Sequence, residues 1–501
     1  MSLAKLFSRA LTGMDAPQII VEVHVASGLP SFSIVGLPDT EIKESRDRIR
    51  SAIQNSGFDF PARRITVNLA PADLPKDSSR YDLPIALGII LASGLCHPKF
   101  KLDDFEFAGE LALDGELRPI KGTLAMAYGI NENARQFILP IDSANEAALI
   151  ENLHVIGANS LTEVIEHLSG KITLPRAYAK ANPLNADDIL LEQDFKQVKG
   201  QISSKKALEI AAAGRHSILM IGNPGCGKSM LANRITSILP NLSPHQAISS
   251  ASLQSLSSQG FRLENWCKVP FRAPHHTTSA VALVGGGSNP KPGEISLAHN
   301  GVLFLDELPE FDRKVLEVMR EPLEAKKISI ARAKNKVEYL ADFQLIAAMN
   351  PCPCGNLGHP QKTCSCSIEQ INRYRAKISG PLLDRIDIVV EVPTLNPNEL
   401  QDLAAGESSE QIRTRVILAR QIQLERQGKL NYELNNDEIE RHCNLEENAK
   451  GLLQQIIHKH GLSARGYYRQ LKLARTIADL AQSKIITAAH IGLASQYKRN
   501  L

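Results

Sequence analysis

Three stretches of the sequence predict an α/β fold, a parallel sheet with helices on both faces. Ile218-Leu-Met-Ile221 is a short apolar run that enters Gly222-Asn-Pro-Gly-Cys-Gly-Lys-Ser229, and Met230 to Leu239 then reads as a helix. Gly301-Val-Leu-Phe-Leu305 is a second apolar run, closed by the paired carboxylates Asp306 and Glu307. Phe343 to Met349 is a third, closed by the amide of Asn350. Short apolar runs that end in polar residues and alternate with helical stretches are the pattern of buried parallel strands.

At 501 residues, with 43% hydrophobic and 22% charged residues, the chain has room for two or three ordinary globular domains. A net charge of +3 says nothing about partners, so nucleic-acid contacts have to come from local clusters. Met1 to Arg9 lacks the continuous apolar core of a secretory signal. The longest apolar stretch, Leu83 to Cys96, is short of a membrane span and carries Pro84 and Ser93. A cytoplasmic protein with no membrane partner is expected, its eight cysteines reduced or metal-bound.

In chain order, Gln18–Val25 and Arg64–Leu69 read as strands by their β-branched content, and Glu41–Asn55 as a helix stopped by Gly57. Pro71 to Leu83 is a loop opening onto an apolar helix, Pro84–Leu95. This loop resembles the proteolytic domain of Lon, whose Pro-Lys-Asp-Gly-Pro-Ser segment carries the nucleophilic serine. Laid on Pro75-Lys76-Asp77, the serine position falls on Arg80, and in the Lon-like segment Gly109–Leu124 the catalytic lysine position falls on Leu124. A Ser-Lys dyad needs a nucleophile and a base, and both are missing. Residues 1–172 are therefore expected to form a Lon-protease-like domain without peptidase chemistry. Two prolines and little periodicity mark 173–195 as a linker.

The Gly222 loop sits between a strand and a helix, the context in which Gly-x4-Gly-Lys-Ser cradles phosphate with backbone N–H groups and a helix N-terminus. Gly222, Asn223, Pro224, Gly225, Cys226, Gly227, Lys228, Ser229 and Met230 are the expected nucleotide-binding residues. Lys228 would reach the β- and γ-phosphates of ATP, and Ser229 would ligate Mg²⁺ together with Asp306. Glu307 would orient and deprotonate the attacking water. The core 196–393 is similar to AAA+ ATPases. That resemblance gives Asn350 a sensor 1 role and, through Leu382-Leu-Asp-Arg-Ile-Asp387, makes Arg385 an arginine finger acting on a neighbouring subunit. A surface salt bridge to Asp384 or Asp387 is the competing reading of Arg385. A finger used in trans implies a closed ring, and the class implies a homo-hexamer.

Val284–Gly293 reads as a flexible loop before Glu294–Asn300, resembling the helix-2 insert of the same AAA+ branch. Lys326–Tyr339 reads as a hairpin, with Ile328, Ile330, Val337 and Tyr339 alternating and the cations Arg332, Lys334 and Lys336 at its tip. Around a ring, such tips would line a channel suited to a phosphate backbone; a solvated edge hairpin protected by lysines is the alternative. Cys352, Cys354, Cys364 and Cys366 place four thiols within 15 residues, a set suited to structural Zn²⁺; a reduced loop shaped by Pro351, Pro353 and Gly355 competes with it. His359 is a spare donor. His275 and His276 are adjacent and have no spaced partner, so no chemistry is assigned to them.

The remainder, 394–501, reads as a helical lid. Ser408-x-x-Gln411 is a capping box for a helix through Gln427, and Leu471, Ala474, Ile477 and Ala478 form a stripe on another. Arg465 matches the sensor 2 arginine of chelatase-like proteins, with Arg469 and Arg475 as rivals.

Pro75-Lys-Asp-Ser-Ser-Arg-Tyr-Asp82, Gly222–Ser229, Phe271-Arg-Ala-Pro-His-His276 and Asn350-Pro-Cys-Pro-Cys-Gly355 together resemble the YifB/ComM family of Mg-chelatase-like AAA+ proteins. The resemblance covers nearly the whole chain. It implies an ATP-driven hexameric DNA helicase that promotes branch migration of recombination intermediates in natural transformation, acting on single-stranded and branched DNA. A magnesium chelatase subunit and a chaperone-like remodelling ATPase are the alternatives. The Lon-like domain and the cysteine cluster are expected to stand outside the chelatase pattern, and Arg80 and Leu124 weigh against a protease-associated role.

Overall fold

The computed structural model describes residues 3–12, 14–36, 40–74, 76, 79–130, 135–179, 193–287, 290–331, 336–395, 406–460 and 463–497. Its N-terminal part is built on two sheets. Strands Leu3–Arg9, Gln18–Ala26, Arg64–Ala70 and Ser31–Val35 lie in that order, antiparallel except for the last, parallel pair. Val21, Val23, Ile65, Val67 and Leu69 are buried while their neighbours are more open, the period-2 pattern of a half-covered sheet. The helix Asp82–Ala92 closes that face and is buried along its whole length. It begins two residues earlier than the apolar run indicated, because Pro84 is tolerated in a first turn, where no N–H is needed. Gly88 lets the helix lie on the sheet, since a Cβ there would come within 2.4 Å of Val23. A parallel sheet of Phe105–Phe107, Gln136–Pro140 and Val155–Ala158 completes the unit. Arg9 joins the two sheets through a buried pair with Glu106, at 2.7 and 2.9 Å.

The region read as a linker begins pinned rather than free: Ala177 N–H donates to Val155 O at 2.8 Å, adding a rung beside the last strand. Residues 180–192 lie outside the described residues.

The central part is a five-stranded all-parallel sheet in the order Phe271–Arg272, Val302–Leu305, Gln344–Met349, Ile218–Ile221, Ile388–Glu391. Alternation splits each strand between two cores. Ile218, Met220, Val302, Phe304, Ile346 and Ala348 face a layer that includes the helices Ile202–Gly214, Ser409–Gln427 and Ala464–Leu480. Leu219, Ile221, Leu303, Leu305, Leu345, Ala347 and Met349 face the hairpin and the short helices on the other side. The hairpin pairs Lys327–Ala331 with Lys336–Leu340 in the register Ile328↔Tyr339 and Ile330↔Val337, all four buried. Arg332 and Lys334 lie outside the described residues, and of Lys336 only the backbone is described. The stretch read as a flexible loop before Glu294 forms a small ladder, Gly285–Gly286 with Lys291–Pro292, in which Gly285 takes φ +105°. The helix after the glycine loop is interrupted at Arg234, giving Lys228–Asn233 and Ile235–Ile238.

The C-terminal part is helical. Ser408 and Gln411 form the expected reciprocal cap of Ser409–Gln427, and Leu471, Ala474, Ile477 and Ala478 are buried on Ala464–Leu480. Among the described residues no helix is long and apolar enough to cross a membrane.

Candidate active site

Because the sheet is parallel, every strand delivers its following loop to one edge, and the strand order decides which loops meet. Gln344–Met349 lies between Ile218–Ile221 and Val302–Leu305, so Asn350 arrives between the glycine loop and the Asp306-Glu307 pair. Gly225 and Gly227 have φ of +80° and +96°, the left-handed geometry that turns successive N–H groups toward one side. A Cβ at Gly222 would meet Val392 O at 2.5 Å, so the tight start of the loop also demands glycine. The resulting cleft is lined by Pro224, Gly225, Gly227, Lys228, Ser229, Met230, Asp306, Glu307, Met349 and Asn350.

Lys228 Nζ donates to Gly222 O at 2.7 Å, Asn223 O at 3.0 Å and Asn350 Oδ1 at 3.2 Å. The ammonium is thus held by neutral acceptors that an anion entering the cleft can replace. Ser229 Oγ donates to Asp306 Oδ2 at 2.5 Å, placing hydroxyl and carboxylate where one hard cation could bridge them. Asp306 Oδ1 accepts the N–H of Glu307 at 2.9 Å. Glu307 stands at φ +52°, a conformation costly for a residue with a Cβ, which aims its carboxylate into the cleft instead of continuing the strand. Its carboxylate lies 3.3 Å from His276 Nδ1. Sequence reading left His276 without a role because its partner is 31 residues away. Adjacency of the strands Phe271–Arg272 and Val302–Leu305 brings the two together, and only the strand order could have signalled it.

Arg385 and Arg465 sit elsewhere. Arg385 precedes the strand Ile388–Glu391 and shares a cleft with Arg465, Arg215, Asp342 and Gln344, at the beginnings of the strands. The glycine loop follows the strand ends, so a strand length, about 15 Å, separates the two clefts. Arg385 Nη2 pairs with Glu324 Oε1 at 2.5 Å and Arg465 Nη2 with the same oxygen at 2.8 Å. Arg385 first, and Arg465 with it, hold the Glu324 carboxyl below the usual carboxylate range. The partner of Arg385 is therefore Glu324, not Asp384 or Asp387. Arg469 donates to the carbonyls of Asp384 and Ile386 at 3.1 and 2.8 Å, supporting the turn that carries Arg385. Arg475 is buried inside the lid, bonded to Asp479 at 3.1 Å and Lys484 O at 2.9 Å, and lines neither of these two clefts.

The four cysteine sulfurs lie within 4.8 Å of one another. That is compatible with a tetrahedral metal site, whose ligands at 2.3 Å stand about 3.8 Å apart. The N–H groups of Asn356 and Ser365, pointing at Cys354, hold its thiol low, at about 5. His359 is occupied otherwise: its Nδ1 accepts the N–H of Gln361 and of Lys362, both at 3.0 Å, closing a turn.

In the N-terminal part, Arg80 is buried with Nη1 3.7 Å from Met126 Sδ, and Leu124 is buried in the core. Lys76 is buried, its ammonium donating to Gly36 O at 2.9 Å, Leu74 O at 3.2 Å and Pro71 O.

Comparison with known proteins covers the whole length. Residues 194–400 match the family described as "Magnesium chelatase, subunit ChlI", 21–143 that described as "Subunit ChlI of Mg-chelatase", and 406–498 its C-terminal family. The match over 21–143 corrects the expectation that the N-terminal domain stands outside the chelatase pattern. Competence protein ComM of Haemophilus influenzae is 47% identical over 510 residues, covering 99% of this chain and 98% of its own. Protein YifB of Escherichia coli is 47% identical over 501 residues, covering 99% and 97%. Lon protease 2 of Bacillus subtilis is 26% identical over 200 residues, 36% of each chain. Identity of this depth over full length has one reading: the chain belongs to the YifB/ComM family of magnesium-chelatase-like AAA+ ATPases, with a Lon-like N-terminal domain and a helical C-terminal domain.

Proposed function

We propose that this protein is a ring-forming, ATP-driven DNA motor, a helicase that promotes branch migration of recombination intermediates during natural transformation. The observation that carries the reading is the split of the ATPase machinery between two ends of one sheet. Lys228, Ser229, Asp306, Glu307 and Asn350 line one cleft, and Arg385 and Arg465 open another about 15 Å away. An arginine that stabilises charge on a transferring phosphoryl group must touch it, so the site closes only when the Arg385 face of one subunit meets the Lys228 face of the next. A head-to-tail contact of this kind generates a ring, and a hexamer is the size the family resemblance implies.

In that ring Lys228 and the loop N–H groups hold the β- and γ-phosphates of ATP. Ser229 and Asp306 hold Mg²⁺, which supplies charge neutralisation at the phosphates. Glu307 takes the proton of the attacking water, and Asn350 senses the γ-phosphate. The hairpin cations Arg332, Lys334 and Lys336 contact DNA in the channel. The relative named for competence supports a role with incoming DNA. The chelatase reading has the family name in its favour, but the chain offers no observation that points to a porphyrin.

A strand-displacement assay on forked DNA tests the proposal. The protein should unwind the fork with ATP, and Glu307→Gln should not. No unwinding by wild type, or equal unwinding by the variant, overturns it.

A further inference from the structure

The loop from Pro351 to Cys366 contains no helix or strand, yet it packs directly against the glycine loop. Asn223 Nδ2 donates to Gly355 O at 2.6 Å and to Leu357 O at 3.2 Å. Gly355, at φ +78°, lies so close to Pro224 that a Cβ would come within 2.6 Å of its ring. Asn223 O in turn accepts from Lys228 Nζ at 3.0 Å, and Asn350, next to the loop's first residue, accepts from the same ammonium at 3.2 Å. The loop therefore grips the phosphate-binding residues at two points, its origin and its apex.

An irregular segment of this length has many conformations to lose, and its backbone offers no ladder to hold it. What converges instead is sulfur. Cys352 Sγ lies 3.5 Å from Cys354 Sγ and 3.6 Å from Cys364 Sγ, and the latter two are 3.6 Å apart. Backbone N–H groups point at the sulfurs: Leu357 donates to Cys352 at 3.3 Å and Cys354 to Cys366 at 3.4 Å, beside those of Asn356 and Ser365 at Cys354. Four protonated thiols gain little from such a cluster, and four thiolates would repel. A divalent cation at the centre explains both the convergence and the N–H donors, which are the usual outer-shell support of a metal thiolate. With four sulfurs no position is left open, so the ion is structural.

We infer that Cys352, Cys354, Cys364 and Cys366 hold one tetrahedral Zn²⁺ whose role is to brace the nucleotide loop: through Gly355 and Leu357 it fixes Asn223, and through Asn350 it fixes Lys228. ATP affinity then depends on a metal that never touches ATP. The inference rests on the nucleotide reading of the Lys228 cleft.

The test uses the full chain in excess Mg²⁺, with zinc measured by mass spectrometry of the metal and affinity by a fluorescent ATP analogue. Wild type should carry about one zinc per chain. Stripping it with a chelator that spares Mg²⁺ should weaken the analogue on the order of tenfold or more, and added Zn²⁺ should restore it. Cys364→Ser should lose both zinc and affinity, whereas Asn223→Ala should keep zinc and lose affinity. Lys228→Ala keeps zinc and separates the two claims. If that variant binds the analogue normally, the nucleotide reading fails. If it does not, yet zinc-stripped wild type binds with unchanged affinity, the brace fails. Wild type without zinc overturns the inference outright. Should Cys364→Ser be insoluble, the reversible stripping of wild type decides.

Discussion

Two buried lysines in this chain look alike and are not. Lys76, in the Lon-like part, donates to three oxygens, and Lys228, in the ATPase core, to three oxygens and, at 3.9 Å, to Cys226 Sγ. Around Lys76 all three are backbone carbonyls of one turn and a neighbouring strand end, burial lowers its pKa, and the side chain is 1% exposed. Around Lys228 one acceptor is the side-chain amide of Asn350, and the ammonium faces a cleft whose other walls carry Ser229, Asp306 and Glu307. An ammonium enclosed by carbonyls is a staple. The same ammonium beside room, exchangeable acceptors and a hydroxyl–carboxylate pair suits the phosphate site proposed for it.

The largest expected effect breaks this comparison if it is mistaken. Lys228→Ala should lower ATP turnover by about 10²–10³-fold or more while leaving the melting temperature nearly unchanged. Lys76→Met should do the reverse. Three carbonyls lose their donor at a cost of about 1–3 kcal/mol, seen as a fall of several degrees in melting temperature, with turnover unchanged. ATPase rates and calorimetry on the two proteins decide, and turnover lost in Lys76→Met would give the Lon-like loop a role in the cycle.

A step smaller is the separation of chemistry from binding within the live site. Glu307→Gln should reduce turnover by about 10²-fold or more, with the ATP analogue still bound. His276→Ala removes only the group that orients that carboxylate, and a change of roughly 3–10-fold is expected. Single-turnover hydrolysis separates the two. An equal loss in both would move His276 from orienting to reacting.

The proposed sharing of the site between neighbouring subunits predicts complementation. Lys228→Ala and Arg385→Ala proteins, each inactive, should regain activity when mixed. A subunit with an intact Lys228 can meet a neighbour with an intact Arg385 at about a quarter of interfaces. Mixtures that stay silent, although both proteins assemble, would place Arg385 outside the site.

What was legible in the sequence divides along the same line between local and non-local. The glycine loop, Asp306-Glu307, the alternation of Ile328, Ile330, Val337 and Tyr339 and the Ser408 cap are written within short windows, where period and spacing suffice. The Cys352–Cys366 set is readable for the same reason. His276 on Glu307, Glu324 between two arginines and Asn223 on Gly355 are set by strand order and by which loops share an edge. No window of the sequence contains both partners. The Lon-like character of the N-terminal part was readable, but not the three carbonyls that hold Lys76.

The last test concerns pH, where the two regions pull in opposite directions. On the helix Ile141–Ala147, burial pushes the Glu146 carboxyl up to about 7, and its Oε1 finds no partner among the described residues. In the ATPase core, burial pushes His299 down to about 4, its Nδ1 accepting the N–H of Asp342 at 3.1 Å. A carboxyl raised on folding keeps an extra proton in the folded state. Its contribution is present below the ordinary glutamate value of 4.5 and is lost as pH climbs through about 7. A histidine lowered on folding does the opposite: the unfolded chain takes up the extra proton below 6.5, so stability rises with pH from about 4 to 6.5. Between those values the two slopes oppose each other. Glu146→Gln removes one of them, since an amide does not titrate and costs less to bury than a carboxylate. The variant should therefore gain on wild type as pH rises, by about 1–3 kcal/mol at pH 8, and stop gaining above it. Its melting temperature between pH 5 and 6.5 should climb more steeply than that of wild type, because the His299 slope is no longer offset. A gap that stays constant from pH 5 to 8 would mean that Glu146 is not the group that titrates.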